Sequence, residues 1–254
     1  MILAVDMGNT NIVIGVIDNK KIIFSTRIGT DRNKTEMEFY IQLKSIFEAF
    51  NINPLNIEGG ILSSVVPELT NQVSKAMNFL LKKKISILGQ GLKTGLNIKI
   101  DNPQSLGADI VADAVGALEI YKFPLIVIDM GTATTVSIID DKRDYLGGMI
   151  IPGIKTSMDA LSSHASQLPY ISLEEPKNII GKNTIECMKS GLINGNVAMI
   201  DGIIDKLEEE LKLNFTVVAT GGLSKLIVNN CRHKIKYEEH LLLYGLEYLY
   251  NKNK

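Results

Sequence analysis

The chain has 254 residues, 45% of them hydrophobic, which is enough to fill a core in each of two lobes. Its 27 Lys and Arg residues nearly balance 28 Asp and Glu residues, so the formal net charge of -1 gives no bias toward nucleic acid or an anionic membrane. No apolar stretch approaches the roughly 20 residues that span a bilayer, and the first residues lack the layout of a signal peptide. The two cysteines have neither metal-ligand spacing nor the density of a disulfide framework, so a cytoplasmic location is expected. The three histidines are scattered, and none has a second ligand at metal-binding spacing.

The first half of the chain predicts three strands, followed by alternating helices and strands. After an apolar run that ends at Val5, strands are predicted at 12–17 and 21–27. Thr35-Glu36-Met37-Glu38 has the spacing of a capping box, which predicts a helix to about Phe50. The later predicted elements are a strand at 60–66, a helix to about 83, a strand at 84–88, a Gly-rich stretch at 89–95 and a helix at about 105–121.

The second half repeats the pattern of the first. Strands are predicted at 135–139, 145–151 and 215–219, and helices at about 156–166 and 183–213, the second with glycine interruptions at Gly191, Gly195 and Gly202. The apolar stretch that begins at Leu241 fits either the core or a contact surface. No flexible linker is expected, because the chain has no Pro/Ser-rich or charged low-complexity run. We therefore predict two lobes, at residues 1–115 and 116–254, that meet at the helix near 105–121.

One short motif occurs twice, first as Asp6-Met7-Gly8-Asn9-Thr10-Asn11 and again as Asp129-Met130-Gly131-Thr132-Ala133-Thr134. Each copy follows an apolar run and precedes a predicted strand, which indicates a hairpin turn. Backbone N–H groups in such a turn can face an anion, and the neighbouring carboxylate suits a hard cation such as Mg²⁺. The repeat therefore predicts two homologous halves on either side of a metal-bound polyphosphate.

Two further patterns indicate ligand contacts. Asp109 and Asp113 are four residues apart on a predicted helix with Gly116 on the same side, so two carboxylates share a face that a ligand could approach. The alternative is a solvated polar stripe. The Gly221-Gly222 pair follows a predicted strand, where backbone can touch a flat or charged ligand or simply form a strand-to-helix turn.

The order of these motifs resembles the actin-like, sugar kinase and heat-shock ATPase superfamily and, within it, the type III pantothenate kinases, from residue 2 to about residue 249. The residues that carry the resemblance are Asp6-Met7-Gly8-Asn9-Thr10-Asn11, Ser63-Ser64-Val65-Val66-Pro67, Asn102-Pro103 with Leu106-Gly107-Ala108-Asp109, Asp129-Met130-Gly131-Thr132-Ala133-Thr134-Thr135, Gly147-Gly148 with Pro152-Gly153, Leu168-Pro169 and Thr220-Gly221-Gly222-Leu223. The resemblance implies an α/β fold of two ribonuclease-H-like lobes, each a mixed β-sheet flanked by helices, with a nucleotide cleft between them.

The resemblance also implies a function, which is transfer of a phosphoryl group from ATP to the primary hydroxyl of pantothenate, the first step of coenzyme A biosynthesis. Asp109 matches the catalytic base of the family, Asp6 a Mg²⁺ site and Asp129 a site for K⁺ or NH₄⁺. The family further implies a homodimer. The other matched positions are Gly8, Asn9, Thr10, Asn11 and Thr132 for the phosphates, Gly221 and Gly222 for the adenosine, and Gly107, Ala108, Ile110 and Thr184 for the substrate. Thr184 alternatively only caps a helix.

Two positions depart from the family pattern. The Arg that usually follows the catalytic Asp and pairs with the pantothenate carboxylate is Ile110 here, and a common Tyr two residues before the Asn-Pro pair is Ile100. Two other functions therefore stay open, which are a nucleotide-binding transcriptional accessory protein related to these kinases, and an acid or sugar kinase of the same superfamily. Retention of Asp6, Asp109 and Asp129 argues against the regulator, and the short length and the segment from Asn102 to Asp109 disfavour the acid or sugar kinase.

Overall fold

A computed structural model describes residues 1–89 and 91–254 and divides the chain into two compact units. Unit 1 consists of Met1–Leu96, Asn102–Glu119 and His240–Lys254, and unit 2 of Asn97–Asp101 and Ile120–Glu239. This division differs from the single predicted boundary between residues 115 and 116, because the last helix packs on the sheet of unit 1. The predicted Gly-rich stretch 89–95 includes Gln90, which lies outside the described residues. Within the described ranges, no helix has both the length and the apolar character needed to cross a membrane.

Each unit contains a run of three consecutive strands, β1–β3 in unit 1 and β7–β9 in unit 2, together with further strands and helices. The strands are β1 (Ile2–Met7), β2 (Asn11–Asp18), β3 (Lys21–Gly29), β4 (Gly59–Ser64), β5 (Ser86–Ile87), β6 (Asn97–Ile98), β7 (Leu125–Met130), β8 (Ala133–Ile139), β9 (Asp144–Pro152), β10 (Thr216–Thr220) and β11 (Ile235–Tyr237). The helices are α1 (Glu36–Ala49), α2 (Pro67–Leu81), α3 (Ala108–Ile120), α4 (Ile154–His164), α5 (Thr184–Leu211), α6 (Ser224–Val228) and α7 (Leu241–Lys252).

The two sheets have the same core topology, as the repeated motif predicts. In unit 1 the strand order is β3-β2-β1-β4-β5, with β1 to β3 an antiparallel meander and with β4 and β5 added in parallel. In unit 2 the order β9-β8-β7-β10-β11 repeats this arrangement, and β6 adds to β9 in parallel. Each unit is therefore a mixed sheet with helices, and the first strand of each meander carries the repeated aspartate as its last residue but one.

The core of unit 1 explains which face of β1 carries the aspartate. Leu3, Val5 and Met7 are fully buried in a cluster with side chains of α1 and α2. Because side chains alternate along a strand, Asp6 lies on the opposite face, with Ile2 and Ala4. Helix α7 packs on β1 and β4 and supplies Leu241, Leu243, Leu246 and Leu249, all buried. The apolar stretch from Leu241 is thus part of the core of unit 1.

Helices α3 and α7 approach each other closely at two glycines. A methyl group added at Gly116 would collide with the carbonyl oxygen of Leu241, and one added at Gly245 would collide with the carbonyl oxygen of Ala112. The prediction that Gly116 leaves room for a ligand is therefore wrong, because the backbone of α7 occupies that room. Asp113 is only 4% exposed, so the alternative of a solvated stripe is wrong as well.

Several predicted elements have the expected type. The capping box at Thr35 is confirmed, since its hydroxyl accepts from the backbone N–H of Glu38 and the Glu38 carboxylate accepts from the N–H of Thr35. Helix α5 runs through its three glycines without a break. Sequence reasoning did not predict β6, α6 or β11, which have two, five and three residues and depend on contacts with distant strands and helices.

Candidate functional site

The first repeated turn joins β1 to β2. Asp6 is 8% exposed at the end of β1, and the three residues Asn9–Asn11 are exposed. The N–H of Gly8 donates to the carbonyl oxygen of Asn11 at 2.9 Å. Gly8 is therefore not the free backbone donor that the sequence suggested. A methyl group at Gly8 would lie 3.1 Å from the same oxygen, so this glycine contributes a tight turn instead.

The end of β3 holds this turn in place. The Thr30 N–H donates to the Thr10 carbonyl at 2.9 Å, and the Thr30 hydroxyl donates to the Gly8 carbonyl at 2.7 Å. Two residues on, Arg32 Nη2 donates to Asn9 Oδ1 at 3.1 Å. Sequence reasoning missed these contacts, although a three-strand meander brings the end of its third strand beside its first turn.

Ser63 lies beside Asp6 on the neighbouring parallel strand β4. Residues paired across two strands point to the same face of the sheet. The Ser63 side chain is completely buried, and its hydroxyl has no hydrogen-bond partner among the described residues. A carboxylate and a hydroxyl are hard oxygen donors, the type that Mg²⁺ prefers. The chemistry at the end of β1 therefore fits a magnesium ion.

Asp109 lies in the first turn of α3. A short 3-10 turn at Pro103–Ser105 precedes this helix, and the Asn102 side chain caps it by accepting the N–H of Gln104 at 3.3 Å. Burial raises the pKa of the Asp109 carboxyl above its usual value, although hydrogen bonds from the N–H groups of Ile110 and of Asp109 itself act in the opposite direction. A carboxylate with a raised pKa accepts a proton more readily.

The predicted substrate positions 107–110 surround this carboxylate. A methyl group at Gly107 would lie 2.6 Å from Asp109 Oδ1, so the glycine provides space for the acid. The N–H of Ile110 donates to Asp109 Oδ1 at 2.8 Å, which means that it is already engaged. Ile110 and Ala108 are half-buried in unit 1, whereas Ile100, the other departure from the family pattern, belongs to unit 2 beside Gly147.

The second repeated turn joins β7 to β8 and is one residue shorter than the first. Its Gly131 N–H donates to the Ala133 carbonyl at 3.0 Å, which corresponds to the hydrogen bond from the Gly8 N–H to the Asn11 carbonyl in the first turn. The Thr132 carbonyl accepts from the Gly153 N–H at 3.1 Å and from the Thr156 hydroxyl at 2.6 Å. The residues that follow the third strand thus hold the turn in both units, while Thr132 itself is exposed.

Asp129 and the Gly-Gly turn lie next to each other in unit 2, since β10 pairs with β7. Gly221 has a φ of +96°, which favours glycine. A methyl group there would lie 2.7 Å from Asp129 Oδ1 and 2.6 Å from the carbonyl oxygen of Met130. The Gly-Gly turn therefore lies so close to Asp129 Oδ1 and to the Met130 carbonyl oxygen that no side chain fits at position 221. Gly222 is exposed beside it.

Thr184 is the exposed first residue of α5. The cap of this helix is Asn183, whose side chain accepts the N–H of Glu186 at 3.0 Å, so the alternative role of Thr184 as the cap is wrong. Each unit therefore gathers its own set of predicted residues. Unit 1 holds Asp6, the turn at 8–11 and residues 107–110, and unit 2 holds Asp129, Thr132, Gly221, Gly222 and Thr184.

Comparisons with known proteins agree with these motifs. A solved structure from Campylobacter jejuni, described as a Baf family transcriptional activator, has a TM-score of 0.63 at 19% identity and covers 99% of this chain and 98% of that one. A structure from Sinorhizobium meliloti, described as a 2-dehydro-3-deoxygalactonokinase, has a TM-score of 0.61 at 11% identity, with 98% of each chain covered. Both similarities show the fold alone, which is that of the actin-like and sugar kinase ATPases.

The sequence comparisons are more specific. A type III pantothenate kinase from Halalkalibacterium halodurans is 41% identical over 253 residues, which cover 100% of both chains. The family model for type III pantothenate kinase matches residues 2–206 and so includes both repeated turns and Asp109. This chain belongs to the type III pantothenate kinase family.

Proposed function

We propose that the chain transfers the γ-phosphoryl group of ATP to the primary hydroxyl of pantothenate, the first step toward coenzyme A. The observation that carries the proposal is the Asp109 carboxylate, held by two backbone N–H groups at the start of α3 with a raised pKa, inside the segment that matches the family. A group of this kind suits a reaction in which a hydroxyl must lose its proton.

The proposed reaction is a direct displacement. The substrate oxygen forms a bond to the γ-phosphorus while the bond between that phosphorus and the bridging oxygen breaks, and ADP leaves with the electron pair. Asp109 accepts the hydroxyl proton at its carboxylate, and Gly107 leaves the space that this carboxylate needs. Because the transition state of phosphoryl transfer is loose, positioning and charge neutralisation are the main tasks of the protein.

The phosphates are proposed to bind at the two repeated turns. Asn9, Thr10 and Asn11 in the first turn and Thr132 in the second are exposed and carry amide or hydroxyl groups that bind phosphate oxygens. Asp6 is proposed to hold Mg²⁺ together with phosphate oxygens and water, as is usual for this ion, and the bound ion supplies neutralisation of phosphate charge. The backbone of half-buried Gly221 and exposed Gly222 is proposed to contact the adenosine.

We propose K⁺ or NH₄⁺ as the ion at Asp129, because Asp129 Oδ1 and the Met130 carbonyl oxygen lie close together beside Gly221 and both are oxygen donors for a hard cation. Activity is expected to rise when K⁺ or NH₄⁺ replaces Na⁺, and Asp129→Ala is expected to abolish that response. Initial rates in the three chloride salts at equal ionic strength measure it. Equal rates with the unmodified enzyme would contradict the cation role.

One assay tests the proposed function. ADP release from ATP and Mg²⁺ is measured with pantothenate, without an acceptor and with a hexose, in K⁺ buffer. Release that depends on pantothenate is expected. ADP release only with the hexose would support the sugar kinase alternative, and nucleotide binding without turnover would support the regulator.

The transcriptional-regulator alternative is not favoured. The curated relative that is 41% identical over the full chain is named as a kinase, whereas the structure named as a regulator is 19% identical. The homodimer rests on the resemblance and the cytoplasmic location on the cysteine content, and both stay predictions. Light scattering on the purified protein measures the oligomeric state.

The departure at Ile110 predicts weak selection for the pantothenate carboxylate. A charge-assisted hydrogen bond contributes about 1.5–3 kcal/mol, or about 10- to 150-fold in preference for an acid over its neutral analogue. The Ile110 side chain cannot donate one, and its N–H already donates to Asp109. We therefore expect less than about 10-fold discrimination in kcat/KM between pantothenate and the uncharged alcohol pantothenol.

The follow-up to that comparison is Ile110→Arg, which should restore preference for the acid if the position faces the carboxylate. Discrimination well above about 100-fold in the unmodified enzyme would instead mean that another cation or donor binds the carboxylate.

A further inference from the structure

We propose that Arg32 is a phosphate-binding residue that exchanges an ion pair with Glu68 for the polyphosphate of the bound nucleotide. Arg32 belongs to none of the repeated motifs, but it is attached to the first of them through Asn9. The proposal deepens the proposed function and rests on its assignment of the turn at 8–11 to the phosphates.

Hydrogen bonds of the neighbouring residues fix the position of the segment that carries Arg32. Thr30 donates both its N–H and its hydroxyl to carbonyl groups of the turn, at Thr10 and Gly8. The next residues form a tight turn in which Asp31 Oδ1 accepts the N–H of Asn33 at 3.0 Å. Arg32 is therefore placed beside the turn by contacts that do not involve its own side chain.

The Arg32 guanidinium has more N–H donors than its contacts with Asn9 and Glu68 use. Its Nη2 donates to Asn9 Oδ1 at 3.1 Å, and its Nη1 lies 3.1 Å from Glu68 Oε1. A guanidinium carries five N–H donors in a planar fork that matches phosphate oxygens. The Arg32 side chain is 60% exposed, so its remaining donors face solvent beside the turn.

The ion pair with Glu68 is easy to exchange. Both side chains are at least half exposed, at 60% and 50%, and exposed pairs of this kind contribute little to stability. A bidentate contact with a phosphate that carries more than one negative charge is stronger than a contact with one carboxylate in water. Glu68 thus holds Arg32 near the turn without competing effectively with a nucleotide.

Arg32 also orients the Asn9 side chain. Because Arg32 donates to Oδ1, the amide NH₂ group of Asn9 is the end that remains to donate to an acceptor. One arginine therefore prepares two sets of donors for phosphate oxygens, its own and those of Asn9.

The test measures nucleotide binding by calorimetry, with Mg²⁺ and a non-hydrolysable ATP analogue, ADP or adenosine. Arg32→Ala is expected to weaken binding of the ATP analogue by about 10-fold or more, with a smaller loss for ADP and no change for adenosine. Arg32→Lys is expected to be intermediate, because it keeps the charge and loses the fork. The salt dependence of analogue binding should also decrease in Arg32→Ala.

The matched control is Arg27→Ala. It removes another exposed arginine, which lies on β3 five residues before Arg32. Glu68→Gln serves as a second control and is expected to leave analogue binding unchanged or tighter. Equal binding by the Arg32→Ala and Arg27→Ala variants would overturn the proposal, and so would an equal loss for adenosine and the ATP analogue, which indicates a structural role. If Arg32→Ala behaves as expected but the unmodified protein does not phosphorylate pantothenate, the proposed function fails and the phosphate contact stands.

Discussion

Asp109→Asn is expected to lower kcat by about 10²- to 10⁴-fold, because the amide cannot accept the proton of the substrate hydroxyl. The change is nearly isosteric, and the Asn oxygen can still accept the N–H of Ile110 that Asp109 Oδ1 accepts now. Affinity for Mg²⁺–ATP should therefore change little. Steady-state kinetics and nucleotide titration measure the two effects separately. Near-normal turnover in a folded Asp109→Asn protein would remove Asp109 from the mechanism.

The raised pKa of Asp109 gives this prediction a pH dependence. The acidic limb of the kcat/KM profile should have its midpoint above the usual Asp value of about 3.9, because burial raises the pKa of this carboxyl. The raised pKa also determines the direction in which the free energy of unfolding changes with pH. The native carboxyl binds its proton more tightly than the unfolded one, so its favourable contribution is present at low pH and is lost as pH rises through the folded pKa. At neutral pH, Asp109→Asn should thus be at least as stable as the unmodified protein.

The second large effect is expected from Gly245→Ala, which should lower the free energy of unfolding by about 3 kcal/mol or more. The new methyl group would collide with the carbonyl oxygen of Ala112 on α3. At the same helix crossing, Gly116 of α3 lies against the backbone of α7. Backbone atoms cannot rotate away as a long side chain can, so α3 and α7 must separate. Chemical denaturation monitored by circular dichroism measures the loss.

The chain supplies a matched control for this substitution in α5. A methyl group at Gly195 meets nothing within 4 Å, and the residue is exposed. Gly195→Ala should therefore stabilise the protein by about 0.5–1 kcal/mol, through helix propensity alone. A Gly245→Ala protein as stable as Gly195→Ala would show that the two helices can move apart at little cost.

Local chemistry explains what could be predicted from the sequence. The capping box at Thr35 and the paired turns after Asp6 and Asp129 are each encoded within a few residues, and they form where the pattern places them. The repeated motif also predicts the repeated strand order, because each copy begins the same meander.

Contacts between distant residues explain what could not be predicted. Gly116 looks like an opening when only its own helix is considered, and only the position of α7 shows that it is a packing site. Arg32 lies 23 residues from Asn9, and nothing near it in sequence indicates that it reaches the first turn. Gly8 likewise looks like a free donor until the carbonyl of Asn11 is placed beside it.

The return of α7 to unit 1 determines the order in which the two units can be completed during synthesis. The buried Glu247 accepts the N–H of Lys20 from 227 residues away, and Asn253 binds Lys93 across 160 residues. Until residues 240–254 have left the ribosome, the face of β1 and β4 on which α7 packs stays uncovered. Unit 2 needs only residues 97–101 and 120–239, so all of its parts are present earlier. The unit that begins first is therefore the last to be finished, and a nascent chain that stops before α7 exposes an apolar sheet face to chaperones.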